Sequence, residues 1–233
     1  MRTYRLGIRL IQAAIGLGFI VLVAGFFGLW GQVGKSPQVT TGSAATNSAT
    51  TPTPTLSNAK IVALGDSFTL GYPLDASHSW TQRTADVLKV EVINKGKVNQ
   101  TSKDLLARFD ADVVAEKPAR VIIFAGMGDA ISGVNRDEVQ KNIKAMVDKA
   151  KANQIIPILA LPIWYPGSQQ NIKDIRESEM SYAKKENIMT LDFASVLFDA
   201  NNKYLSGLSS ADGQYPNEKG YVTMGDYAAK VLK

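Results

Sequence analysis

The sequence predicts an α/β domain, a mainly parallel sheet of five strands covered by helices on both faces, preceded by one transmembrane helix. Three observations predict it. An apolar run lies near the start, a Ser/Thr/Pro-rich stretch follows it, and from residue 59 short β-branched runs alternate with longer helical patterns.

Residues 1–9 form a basic N-terminus with Arg2, Arg5 and Arg9. Residues 10–30 read LIQAAIGLGFIVLVAGFFGLW, with Gln12 the only clearly polar residue. As a helix rising ~1.5 Å per residue, this run just spans a hydrocarbon layer of roughly 30 Å. Lys35 is the only basic residue between the run and residue 60, so the positive-inside bias puts the N-terminus in the cytoplasm and the remainder outside. A cleaved signal peptide is the rival reading. Against it, the run exceeds the usual ~7 to 15 residue apolar region and no A-x-A site closes it. The expectation is an uncleaved signal anchor in the cell membrane with an extracytoplasmic domain.

Residues 31–58 include VGKSPQVTTGSAATNSATTPTPTLSN, which has almost nothing large to bury and reads as a flexible linker. The remaining residues, 59–233, are one domain's worth of chain. Lys60 to Leu64, Glu91 to Asn94, Arg120 to Ala125, Ile155 to Leu161 and Ile188 to Asp192 read as strands. Trp80 to Leu88, Ser102 to Glu116, Arg136 to Asn153, Asn171 to Glu186 and Asn217 to Leu232 read as amphipathic helices. Strands alternating with helices build a parallel sheet, and ligands then sit beyond the carboxyl ends of the strands.

Composition excludes several chemistries. The chain has no cysteine and one histidine, which removes disulfides, thiol nucleophiles, Cys-ligated metals, a lipid-modified cysteine anchor and any mechanism needing two imidazoles. The net charge of +5 is concentrated at the front: residues 1–58 hold four basic residues and no acid, leaving 22 basic against 21 acidic residues, a net of +1. The domain carries no basic stripe interleaved with aromatics, so no nucleic-acid partner is expected.

The first strand runs into Gly65-Asp66-Ser67-Phe68-Thr69-Leu70-Gly71. Glycines at both ends permit a tight turn that presents the Ser67 hydroxyl at the sheet edge, where a nucleophile would stand; Asp and Ser are also ordinary turn residues. Ser79-Trp80, then Val92-Ile93-Asn94 with Gly96 and Thr101-Ser102, then VIIFAGMGD at Val121 to Asp129, and finally Asp212-Gly213-Gln214-Tyr215-Pro216-Asn217 with Gly220-Tyr221 follow in order. The first stretch resembles block one, G-D-S-x-T-x-G, of the SGNH or GDSL hydrolases. The later segments resemble that family's further blocks across residues 60–232.

The resemblance implies a three-layer, flavodoxin-like α/β/α sandwich, serine ester hydrolysis or acyl transfer, and no metal or organic cofactor. It puts Ser67 in the nucleophile position and Asp212 where an aspartate orients the catalytic histidine. The histidine position is Tyr215. A phenol with a reference pKa of about 10 is normally protonated and cannot act as general base near neutral pH. Loss of one triad member typically leaves about 10³ to 10⁴ over water. Two oxyanion positions also depart from the pattern: the block-two glycine aligns with Asn99 and the block-three asparagine with Gly128, which has no side chain to donate. Either the Asn99 carboxamide replaces the lost donor from the opposite loop, or asparagine stands there because it tolerates a left-handed backbone.

His78, in a polar loop eleven residues after Ser67, is the one candidate for a displaced base; the alternative is a solvated loop histidine. Asp66, Asp129 and Asp212 suggest a cation site less simply than they suggest caps and turns. Leu161 to Gly167, LPIWYPG, either walls an acyl or sugar pocket or is a packed loop. Three functions follow as expectations. The first is a binding or assembly module with lost or weakened esterase activity, recognising an acylated envelope polymer, lipid or protein. The second is an active esterase or acyltransferase on acyl or acetyl esters of envelope polymers or lipids, and the third is a bare structural tether.

Overall fold

Five β-branched runs pair into one sheet in the computed structural model, which describes residues 59–233. The expected N-terminal segment, membrane helix and linker at 1–58 lie outside the described residues. Among the described residues no helix is long and apolar enough to cross a membrane.

The strands are β1 (Ile61–Gly65), β2 (Val92–Gly96), β3 (Arg120–Phe124), β4 (Ile156–Ala160) and β5 (Met189–Leu191), in the order β2-β1-β3-β4-β5 with every neighbouring pair parallel. The central strands β1 and β3 are apolar and buried, as a sheet covered on both faces requires. Gly65 pairs with Gly96 on one side and Phe124 on the other, so the three carboxyl ends are level. The strand order reverses between β1 and β3, and that switch point opens a crevice at those ends.

The helices are α1 (Ser67–Leu70), α2 (Trp80–Leu88), α3 (Ser102–Ala107), α4 (Phe109–Asp112), α5 (Met127–Ser132), α6 (Arg136–Ala152), α7 (Gln169–Glu186), α8 (Ala194–Leu197) and α9 (Glu218–Leu232). Crossovers from β1 to β2 run one way across the sheet and those from β2 to β5 the other, so right-handed connections place their helices on opposite faces. Accordingly α2 packs on α9, whereas α6 packs on both α3 and α7. Trp80 of α2 and Tyr221 of α9 are fully buried.

The helix expected over Ser102 to Glu116 is a correction: it breaks at Arg108 and again at Val113 into α3, α4 and a 3-10 turn at Val114–Glu116. The cause is tertiary. The Arg108 guanidinium donates to the Gly65 carbonyl at 2.8 Å and to Gln100 Oε1 at 3.2 Å and pairs with Asp112, holding its own backbone off the helical path. The strand expected to stop at Asn94 runs on to Gly96. The helix expected from Asn171 starts earlier, at Gln169.

Candidate active site

The turn after β1 is built before any catalytic group is considered. Asp66 caps α1, its Oδ1 accepting from the Phe68 N–H at 3.0 Å, and the Gly71 and Tyr72 N–H groups close on the Ser67 carbonyl at 3.1 and 3.0 Å. Asn94 at the end of β2 braces the turn from behind. Its amide donates to the Thr69 carbonyl at 2.8 Å, Thr81 Oγ1 at 2.9 Å and Ser79 Oγ at 3.1 Å, and its oxygen accepts from the Gly96 N–H at 2.8 Å. Gly96 lies against the same turn: a Cβ there would stand 2.1 Å from the Leu70 nitrogen. The supporting role of Asn94 was not singled out in the sequence, since an asparagine in a strand carries no signal of what its amide will reach.

A cavity of about 300 Å³ opens at this switch point, bordered by Asp66, Ser67, Asn99, Gly128, Tyr165 and Tyr215. Tertiary folding thus brings together four of the sequence-selected positions: Ser67, Asn99, Gly128 and Tyr215. The Ser67 side chain has no hydrogen-bond partner among the described residues. Burial raises the Asp66 carboxyl to about 7, opposed by the N–H groups of Phe68 and Gly128 and reinforced by the charge of Asp129.

Tyr215 supplies no base. Its ring packs on Phe68 at 5.0 Å and Tyr72 at 4.9 Å between centroids. Burial, followed by its hydrogen bond with Tyr165, moves the phenol well above its ordinary pKa, so it stays protonated. Asp212 is exposed and staples its own turn, accepting from Ser210 Oγ at 2.5 Å and from the Gln214 N–H at 3.0 Å; these bonds hold its carboxyl below the usual range. Its link to Tyr215 is indirect, through Ser210 Oγ, which accepts the Tyr215 N–H at 3.1 Å. His78 is not among the residues bordering the cavity; it lies half exposed with Nδ1 3.0 Å from Asp75 Oδ1.

Asn99 and Gly128 border the cavity as a backbone turn and a bare Cα. Asn99 has φ 56°, the left-handed conformation that asparagine tolerates, which accounts for it at a glycine position. Its side chain is exposed at the cavity rim. Gly128 lies beneath the Gln100 carbonyl, and a Cβ on it would be 2.1 Å from that oxygen. An asparagine side chain is therefore excluded at Gly128 unless the block-two loop moves. Asp129, next to Gly128, is buried and accepts from the Ser102 N–H and Oγ, each at 2.7 Å, tying α5 to α3. No group of metal-ligating side chains is found among the described residues.

With this geometry in place, residues 63–222 match the model of the GDSL-like Lipase/Acylhydrolase family. The chain belongs to that family. A G-D-S-L family protein from Desulfitobacterium hafniense DCB-2 is 56% identical in a solved structure, with a TM-score of 0.74 over 75% of this chain and all of that one. The thioesterase 1/protease 1/lysophospholipase L1 of Escherichia coli K12 is 25% identical over 178 residues, 74% of this chain and 83% of the relative. Esterase TesA of Pseudomonas aeruginosa is 34% identical over 97 residues, 40% of this chain, and the match spans about half that esterase's length, 48%.

Proposed function

We propose that this GDSL-family domain is held outside the cytoplasm by a membrane anchor at residues 10–30 and a linker at 31–58, and binds a ligand in its inherited cleft with little or no ester turnover. One observation carries the reading: Tyr215, a protonated phenol, stands at the cavity wall where a proton acceptor is needed, while the Ser67 hydroxyl has no partner among the described residues. Gln100 over Gly128 closes the place of a side-chain oxyanion donor. The open cavity of about 300 Å³ favours a ligand over a bare tether. The esterase or acyltransferase reading is favoured by a different observation, the intact Ser67 turn at the switch point, together with relatives described as esterases and thioesterases.

Hydrolysis of 4-nitrophenyl acetate by the full chain in detergent, beside Ser67→Ala, separates the two. The expected result is equal background. Turnover at an ordinary enzymatic rate of about 1 to 10³ s⁻¹ that Ser67→Ala abolishes would overturn the binding reading. For the anchor, protease added to spheroplasts should digest the domain while the membrane stays intact; a protected domain would refute the orientation.

A further inference from the structure

The cavity beside Ser67 differs in charge from its neighbours. A groove of about 600 Å³ between α6 and α7 is bordered by Arg136, Lys144 and Lys185 together with acids. A cavity of about 370 Å³ beyond Tyr165, along Trp164, Phe198 and Tyr204, is bordered by Lys203. No basic side chain borders the Ser67 cavity, and its one carboxyl is that of Asp66.

That carboxyl lacks a counter-charge. Asp66 is 4% exposed, and its Oδ1 accepts from the Phe68 N–H at 3.0 Å. Burial is the main influence on it, the N–H groups of Phe68 and Gly128 oppose burial, and the neighbouring charge that acts on it, Asp129, is negative. A buried carboxylate without a cation is costly, and a cation nearby offsets that cost. A positively charged ligand would supply what the fold omits.

The walls select the kind of cation. Tyr165 and Tyr215 border the cavity with ring centroids 6.0 Å apart and planes at 71°, so they form a corner, and Phe68 backs them at 6.3 and 5.0 Å. Electron-rich rings attract a cation within ~6 Å of the centroid, and quaternary ammonium groups are bound in this way. A primary ammonium has three N–H donors to satisfy, whereas the Asp66 carboxyl is nearly closed off and already engaged. A quaternary ammonium donates no hydrogen bond and acts on the carboxylate across a gap of ~4 to 6 Å. A neutral alkyl group would leave the carboxyl uncompensated, and a zwitterionic phosphate ester would bring an anion for which the border offers no cation. The volume of about 300 Å³ equals roughly ten waters at ~30 Å³ each, room for a trimethylammonium group and its first carbons.

We propose that the Ser67 cavity binds the quaternary ammonium group of a small organic cation, seated in the corner of Tyr165 and Tyr215 with the Asp66 carboxylate as counter-charge. The proposal names a ligand class for the binding reading above and rests on that reading for the use of the cleft. The probe is choline, titrated by calorimetry into the full chain in a non-ionic detergent at pH 8, beside its uncharged isostere 3,3-dimethyl-1-butanol and beside glycerophosphocholine. Choline should bind with a Kd of about 1 mM or tighter, and the other two at least about tenfold more weakly. Asp66→Asn, which keeps an oxygen to cap α1, should weaken choline about tenfold and Tyr165→Leu about fivefold, both folded by circular dichroism. Because Asp66 holds its proton to about pH 7, choline should bind roughly tenfold more weakly at pH 6 than at pH 8. Of the other groups around that carboxyl, Asp129 on α5 is shifted in the same direction, Tyr215 and Tyr221 stay protonated, and Arg108 on the Gly65 carbonyl stays charged. No choline binding at about 10 mM, equal binding of the isostere or of glycerophosphocholine, or a Kd unchanged by Asp66→Asn or by pH would each overturn the proposal. Choline binding alongside Ser67-dependent ester turnover would leave the ammonium site standing and sink only the non-hydrolytic reading; equal ester background without choline binding would do the reverse.

Discussion

The turn that carries Ser67 and the loop that carries Asp212 and Tyr215 meet at one cavity, through Ser67 and Tyr215, yet they are held in different ways. The Ser67 turn is interlocked with β2 and with the junction of α3 and α4 through Asn94, Gly96 and Arg108, and its Asp66 is buried. The closing loop is stapled by bonds among near neighbours, Asp212 with Ser210 and Gln214, in an exposed turn. A change in the first disturbs packing on several elements; a change in the second disturbs one turn. The Ser67 turn is therefore the more constrained of the two, and the loop with Tyr215 the more permissive to substitution.

The largest expected effect tests the interlock directly. Gly96→Ala should destabilise the domain by about 3 kcal/mol, lowering the melting temperature by roughly 6 to 12 °C, because the added Cβ meets backbone that cannot swing away. Gly128→Asn should lose about 1 to 3 kcal/mol for the same reason and should restore no hydrolysis, alone or with Tyr215→His. A Gly128→Asn protein that melts like the parent would show that the block-two loop yields readily, and the contrast between the regions would weaken.

Acidity offers a second probe of the buried side. The Asp66 carboxyl holds its proton to about pH 7 when folded but loses it near 4 when unfolded. The folded state therefore binds more protons between those values. Its contribution is full below about pH 4, is lost as pH rises toward 7, and is flat above. Glu179 and Asp129, raised mainly by burial, act in the same sense. Asp104 and Asp112, both lowered, act oppositely and lose their contribution as pH falls below about 4. Urea unfolding should show a stability maximum near pH 5 and a decline toward pH 7, and Asp66→Asn should flatten that decline. A profile rising from pH 5 to 8 would refute the assignment.

Smaller effects belong to the closing loop. Tyr215→His should cost about 1 kcal/mol by thermal melting, since a ring still packs on Phe68 and Tyr72. Asp212→Asn should leave the melting temperature almost unchanged. If Asp212→Asn instead melted far below Tyr215→His, the aspartate would bear more of the loop than its exposed turn suggests.

Much of the site was legible as positions and little of it as contacts. The turn at Gly65 to Gly71 and the departures at Tyr215, Asn99 and Gly128 can be read from motif order alone, because local turn chemistry and block spacing are properties of the chain. The bonds of Asn94 to the Ser67 turn, the break of the expected Ser102–Glu116 helix and the brace of Arg108 on Gly65 could not, since each depends on a partner distant in sequence. The loop at Leu161 to Gly167 was open between a pocket wall and a packed segment; it is both, with Arg176 fastening one side of Trp164 and a cavity along the rest.

By itself the sequence determined the α/β alternation, the five strands and the absence of an imidazole at the closing loop, because periodicity and residue identity need no partner. Tertiary structure alone decided that Gln100 bars a side chain at Gly128, that Asp66 is buried enough to hold its proton near neutral pH, and that a second aromatic cavity adjoins the first. Those outcomes are set by close approach and desolvation, which exist only after distant segments have met.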